Sequence, residues 1–223
     1  MKLQEIGEFG LIARLTAGLE DGAGVIKGVG DDAADDAAVL DFGDRWLLFT
    51  TDALVEGVHF KLSYTAPEDI GYKAVAVNVS DIAAMGGRPA YAAVTVGLPD
   101  NFTAEEAEAL YAGIKEAAGE YGVSIVGGDT TAAPVLMVSV ALLGEAAPGY
   151  VRYRSGARPE DLICTTGPLG AGAAGFFLLE NREFPCPEPL RNFLLRKHRR
   201  PEPRVDAGLV LSAIPEVHAL IDV

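Results

Sequence analysis

Apolar and polar positions follow two rhythms along the chain. Phe9, Leu11, Ile12, Leu15 and Leu19 recur at helical spacing, so a helix is predicted over 5–19, ended by Gly22 and Gly24. Trp46-Leu47-Leu48-Phe49 is a short apolar run that predicts a buried strand of a mixed sheet, ending abruptly at Thr50, Thr51 and Asp52. Pro67-Glu68-Asp69 opens a helix, with proline in the first turn and acids favoured by the helix dipole. That helix runs to Met85, is apolar on nearly every face, and stops at Gly86-Gly87. A strand is predicted over 90–98. Thr103 and Glu106 form a capping box for a helix carrying Leu110, Ile114 and Ala117 on one face, ended by Gly122.

Further strands are predicted over 123–126 and 135–144. Ala146 to Tyr150 reads as a boundary between a domain of residues 1–147 and a second of 148–223. The second region predicts a strand over 161–166 and helices over 173–180, 189–200 and 204–213. The Arg- and Lys-rich 189–200 helix reads as a solvated face. Ile221-Asp222-Val223 is a strand-like start that reads as cut. The fold class is α/β (α+β): an N-terminal mixed-sheet domain followed by an incomplete α+β domain.

The chemistry sits at the punctuation between these elements. Thr51 and Asp52 close an apolar strand, offering hard oxygen ligands of the kind Mg²⁺ takes together with substrate phosphates, although the same pair also opens ordinary turns. Asp81 falls on the buried helix with Asn78 and Ser80, where a charge must be paired or bind metal. No basic residue is near it in sequence, which leaves a distant arginine as the other option. Asp31, Asp32, Asp35 and Asp36 stand in one short segment, within a tandem Asp-Asp-Ala-Ala, and repel unless solvated or bound to cations. Gly127-Gly128-Asp129 follows a strand and lets backbone approach a ligand, or is an ordinary turn. Arg154 and Arg158 lie in a basic, turn-rich stretch and either hold a phosphate or pair with surface acids. No Ser-His-Asp or Cys-His set is evident.

Composition narrows the partners. The 223 residues carry a net charge of −14 and a pI near 4.6. That argues against nucleic acid and anionic membrane surfaces, which call for basic patches. An acidic protein that handles phosphates needs cations to carry them. No apolar run of ~18 residues occurs, so no membrane span is expected. Met1 to Glu8 lacks the pattern of a signal peptide. Two cysteines do not make a disulfide framework, Cys164 reads as a core thiol, and a cytoplasmic setting is expected.

Seven stretches then occur in order: Gly28-Val29-Gly30-Asp31-Asp32, Thr50-Thr51-Asp52, Glu56-Gly57-Val58-His59-Phe60, Tyr72-Lys73-Ala74, Asn78 through Gly86, Gly127-Gly128-Asp129-Thr130-Thr131 and Arg154-Ser155-Gly156-Ala157. Together they resemble the thiamine-monophosphate kinase family, within the superfamily of aminoimidazole ribonucleotide synthetase. The resemblance implies transfer of the ATP γ-phosphate to thiamine monophosphate, and a homodimer built by pairing the first domain. It implies several Mg²⁺ ions held by Asp32, or Asp36 if the repeat has displaced it, with Thr50, Thr51, Asp52, Asp81, Asp129 and Asp222. It implies Gly128, Asp129 and Arg154 at the nucleotide and His59 at thiamine monophosphate. Asp222 matches the first position of a family Asp-x-Ser-Asp-Gly motif whose remainder is absent. The alternatives are another ATP-using superfamily member, of selenophosphate-synthetase or hydrogenase-maturation type, and a nucleotide-binding module without catalysis. No cysteine precedes Cys164, which speaks against the selenophosphate reaction.

Overall fold

The computed structural model describes residues 3–29 and 35–223. Its scaffold is a six-stranded sheet in the order β1-β2-β3-β6-β4-β5. These strands are β1 Val25–Lys27, β2 Ala38–Asp41, β3 Trp46–Val55, β4 Arg88–Leu98, β5 Ser124–Ala132 and β6 Met137–Ala146. Only β4 and β5 run parallel; every other neighbouring pair is antiparallel. Before the sheet comes α1, Leu3–Thr16, broken by a non-helical Gly7.

Two helices cover one sheet face, α2 Pro67–Ala84 and α3 Ala104–Tyr121. Strand alternation sends Leu48, Leu54, Val94, Val96, Val138, Val140 and Leu142 to that face, where all are buried. They meet Ile70, Val75, Val79 and Ile82 of α2 and Leu110 and Ile114 of α3 in one core. The helices approach closely because Gly113 has no side chain; a Cβ there would stand 1.8 Å from the Glu68 carbonyl oxygen. The capping box closes α3 as expected: the Glu106 amide donates to Thr103 Oγ1 at 3.2 Å and the Thr103 amide to Glu106 Oε2 at 2.8 Å.

The other face stays open in the single chain. Phe49, Thr51, Ala53, Tyr91 and Ala93 lie on it and are exposed, as is every residue of β5.

The structure departs from the sequence expectations in several places. β3 does not end at Phe49 but continues to Val55, because β6 pairs with it in register from Trp46↔Ala146 to Val55↔Met137. Thr50 to Asp52 therefore lie within a strand. β5 likewise runs on through Gly127-Gly128-Asp129, held by β4. Residues 161–166 are not a strand; no neighbour pairs with them among the described residues, and Leu162 and Ile163 are almost fully exposed. Cys164 in that segment is exposed, not a core thiol. Residues 221–223 are irregular.

The C-terminal region adds α4 Ala171–Glu180, α5 Glu188–Arg199 and α6 Val205–Ser212. The basic end of the α5 segment is not simply solvated. Arg200 reaches Asp69 at 2.6 Å and Glu116 at 2.7 Å, over the Tyr72 ring, and so ties this region to α2 and α3.

Candidate active site

β2 begins at Ala38, opposite Phe49, so from Thr50 onward β3 has lost its neighbour on that side. The open edge is taken by side chains. Asn78 of α2 accepts the Asp52 amide at 3.0 Å through Oδ1 and donates through Nδ2 to the Ala74 carbonyl at 2.9 Å. One turn along, Asp81 Oδ2 accepts the Thr50 hydroxyl at 2.7 Å. A strand and a buried helix thus hold two carboxylates, Asp52 and Asp81, beside the chain that enters β2.

That entering chain brings Asp35 and Asp36. Asp35 accepts the Arg154 amide at 3.2 Å, and its side chain is 0% exposed; Arg154 also pairs directly with Asp36, 4% exposed. Asp36 Oδ2 is nevertheless a buried oxygen with no hydrogen-bond partner. Burial, with the charges of Asp222 and Asp35 and against the pull of Arg154, pushes the Asp36 carboxyl up to about 6. Burial pushes Asp81 up to about 7, helped by Asp222, Asp52 and Asp36 and opposed by the Thr50 hydrogen bond. Asp52 is raised by burial and by Asp222, against His59. Asp36, Asp52, Asp81 and Asp222 therefore share one negative field, and Arg154 is the cation that answers it.

Hard oxygens under mutual repulsion, with an orphaned carboxylate oxygen among them, fit Mg²⁺, which takes one or two carboxylates and fills its shell with phosphate oxygens and water. Among the described residues, no three His, Cys, Asp or Glu side chains are already gathered around one point as a metal would gather them.

Other expected site residues are placed elsewhere. Thr51 alternates to the open face. Asp129 does too, in a lateral row with Thr95, Ser139 and Ala53. Gly128 shares the row of Asp52, Val140 and Val94, three strand spacings or about 14 Å away. A Cβ on Gly128 would meet the Val94 carbonyl oxygen at 1.8 Å, so its backbone approach is to β4. His59 Nδ1 accepts the Val55 amide at 3.0 Å, which leaves the ring proton on Nε2. Asp32 lies outside the described residues. Asn78 and Asp35 serve the site in ways their residue types alone did not reveal; a polar pair on an apolar helix was the available signal for Asn78.

The sequence and the fold match a known class. A profile of the family described as AIR synthase related protein, N-terminal domain, covers residues 34–146, and the chain belongs to that family. Within it, the chain is similar to the thiamine-monophosphate kinase of Bacillus subtilis (strain 168), at 42% identity over 207 residues, 92% of this chain and 63% of the relative. Two solved structures are also similar. One, described as AaThiL complexed with AMPPCP and TMP, has a TM-score of 0.84 at 37% identity and covers 96% of this chain and 65% of its own. The other, thiamine monophosphate kinase from Aquifex aeolicus, has a TM-score of 0.80 at 33% identity, covering 97% and 67%. The chain thus spans about 63% of the length of the curated relatives it matches. Among the described residues no helix is long and apolar enough to cross a membrane.

Proposed function

We propose that this chain carries the metal- and phosphate-binding part of an ATP-dependent kinase that phosphorylates thiamine monophosphate to thiamine diphosphate. The observation that carries the reading is the mutual repulsion of Asp36, Asp52, Asp81 and Asp222, with Thr50 holding the Asp81 carboxylate and Asn78 the Asp52 backbone, in a chain 37% identical to a protein solved with AMPPCP and TMP.

In the reaction, an oxygen of the acceptor phosphate forms a new bond to the γ-phosphorus of ATP, the bond to the bridging oxygen breaks, and ADP leaves. The nucleophile is already anionic, so no strong base is needed; positioning and charge stabilisation suffice. Mg²⁺, held by Asp36, Asp52, Asp81 and Asp222, would neutralise charge on both phosphate groups. The chain's own part is preorganisation. Thr50 fixes the Asp81 carboxylate and Asn78 fixes the backbone at Asp52. Arg154 is assigned to the nucleotide, which it must share with Asp35 and Asp36. Asp129 and Thr51 are assigned to the nucleotide and metal from the other sheet face, Gly128 to the nucleotide from the row of Asp52, and His59 to thiamine monophosphate. A homodimer covering the open face, a cytoplasmic setting and the division at 147/148 belong to the same reading.

The test incubates this chain, and a version extended to the length of its relatives, with Mg²⁺, ATP and thiamine monophosphate. Thiamine diphosphate from the extended chain is the expected result. A folded, ATP-binding extended chain that makes none overturns the reading and points to a nucleotide-binding module or another superfamily substrate.

A further inference from the structure

A second charged feature lies on the same helix as Asp81 and has the opposite sign. On α2, Lys73, Val77, Ser80, Asp81 and Ala84 form the half-buried stripe of an otherwise buried middle. Lys73 and Asp81 are eight residues apart, about 12 Å along the axis. Among the described residues Lys73 has no hydrogen bond and no acidic partner, and burial alone pushes its ammonium down. It lines a cavity of about 10 Å³ with His59, Thr65, His198 and Arg199, and no carboxylate lines that cavity. The space suits a single water-sized atom.

The polar groups at this cavity are mostly donors without acceptors. Thr65 is 6% exposed and its hydroxyl has no partner. Arg199 donates through one terminal nitrogen to the Tyr64 carbonyl at 2.5 Å, but its Nε is buried and unpartnered. His59, with Nδ1 occupied by the Val55 amide, has Nε2–H left to donate. His198 is kept neutral by burial and by Lys73. A half-buried ammonium with no acidic partner, a buried guanidinium N–H and a buried hydroxyl, the last two lacking acceptors, are complementary to an acceptor-only, anionic atom.

We propose that Lys73, Thr65 and Arg199, together with His59, form an anion subsite that takes a phosphate oxygen of the substrate. His59 bonds the Val55 amide at the end of β3, three residues beyond Asp52 on the same strand, and so links the subsite to the acidic notch. A phosphate group then sits between fixed cations on one side and the acidic notch on the other. That the phosphate is the acceptor's rests on the kinase reading; the anion subsite itself does not.

The test titrates inorganic phosphate, thiamine monophosphate and Mg-ATP by calorimetry into the wild-type chain, Lys73→Met and Thr65→Val. Each variant keeps side-chain bulk, and Lys73→Met removes a half-buried charge that no acid pairs, so its melting temperature is not expected to fall. Phosphate and thiamine monophosphate should bind about ten- to a hundredfold more weakly to Lys73→Met, the range for a lost charge-assisted hydrogen bond. Mg-ATP should be unchanged. If Mg-ATP weakens instead, the subsite stands and its phosphate is the nucleotide's. If phosphate responds to both variants but thiamine monophosphate does not bind the wild type, the subsite stands and the acceptor is another phosphate ester. A wild type that binds no phosphate, or a folded Lys73→Met with unchanged affinity and a lowered melting temperature, overturns the proposal and makes Lys73 structural.

Discussion

The Thr50 hydroxyl donates to Asp81 across 2.7 Å, joining the middle of β3 to the buried helix α2. The carboxylate is thereby aimed, but it is not neutralised, and its neighbours Asp52, Asp36 and Asp222 add repulsion. The folded chain holds a proton on Asp81 up to about pH 7, whereas the unfolded chain releases it near 3.8. Between those values the native state binds more protons, so stability is full at low pH and falls as pH rises through the window.

Replacing Asp81 with Asn removes that penalty and leaves an amide oxygen to accept from Thr50. In metal-free buffer, Asp81→Asn should melt higher than wild type at pH 8 and about equally at pH 4. Each pKa unit corresponds to about 1.4 kcal/mol, so partial exposure leaves a gain of order 1–3 kcal/mol. A lower melting temperature at both pH values would mean that the carboxylate is structural.

Cation binding should be read most clearly as a shift in stability. Mg²⁺ at about a hundred times its dissociation constant adds about 2.7 kcal/mol. That gain should be large at pH 8, small at pH 5 where Asp36 and Asp81 hold protons, and mostly lost in Asp52→Asn. Asp129→Asn, on the opposite sheet face, should keep it in the single chain. Equal losses from both variants in thermal melts would contradict the separation of the two faces.

Arg154 is the counter-ion of two buried acids, with Asp35 0% and Asp36 4% exposed. Arg154→Ala strands them, which costs roughly 3–5 kcal/mol when one partner of a buried pair is removed. Urea unfolding at pH 8 should show this loss, with a smaller one at pH 5 as Asp36 takes up a proton. A change under about 1 kcal/mol would place the pair effectively in solvent.

His198 contributes the opposite pH slope. Burial first, then Lys73, lowers it from 6.5 to about 4. Between those values the unfolded chain binds the extra proton, so stability present above 6.5 is lost as pH falls toward 4. His198→Gln should flatten this limb of the melting-temperature profile by a few degrees. An unchanged limb would assign the acid lability to other groups.

The periodic elements were legible before the structure. The capping box of α3 and the apolar middle of α2 specify themselves locally, and both helices form where expected. The ends of β3 and β5 were not, because hydroxyls, glycines and an aspartate look like turn residues until a ladder partner supplies their hydrogen bonds. Residues 161–166 failed in the other direction: an apolar run needs a neighbour to become a strand. Asp52 and Asp81 were legible as candidates through their apolar surroundings. Their grouping with Asp32 or Asp36 came only from the family resemblance and not from spacing, since it depends on where β2 starts, and the acceptor-poor cavity was not legible at all, because its residues come from three distant segments.

Thr50, Thr51 and Asp52 are delivered to alternate sides of one sheet, and the ladder with β6 fixes which side each receives. A single inserted or deleted residue in β3 would exchange the contents of the two faces. Length is therefore frozen along this strand. The duplicated Asp-Asp-Ala-Ala of the sequence lies ahead of Ala38, outside the β2–β3 ladder. Variation in chain length among relatives should accumulate before β2 and stop at β3, so that the silent partner β6 acts as a ruler for chemistry it never touches.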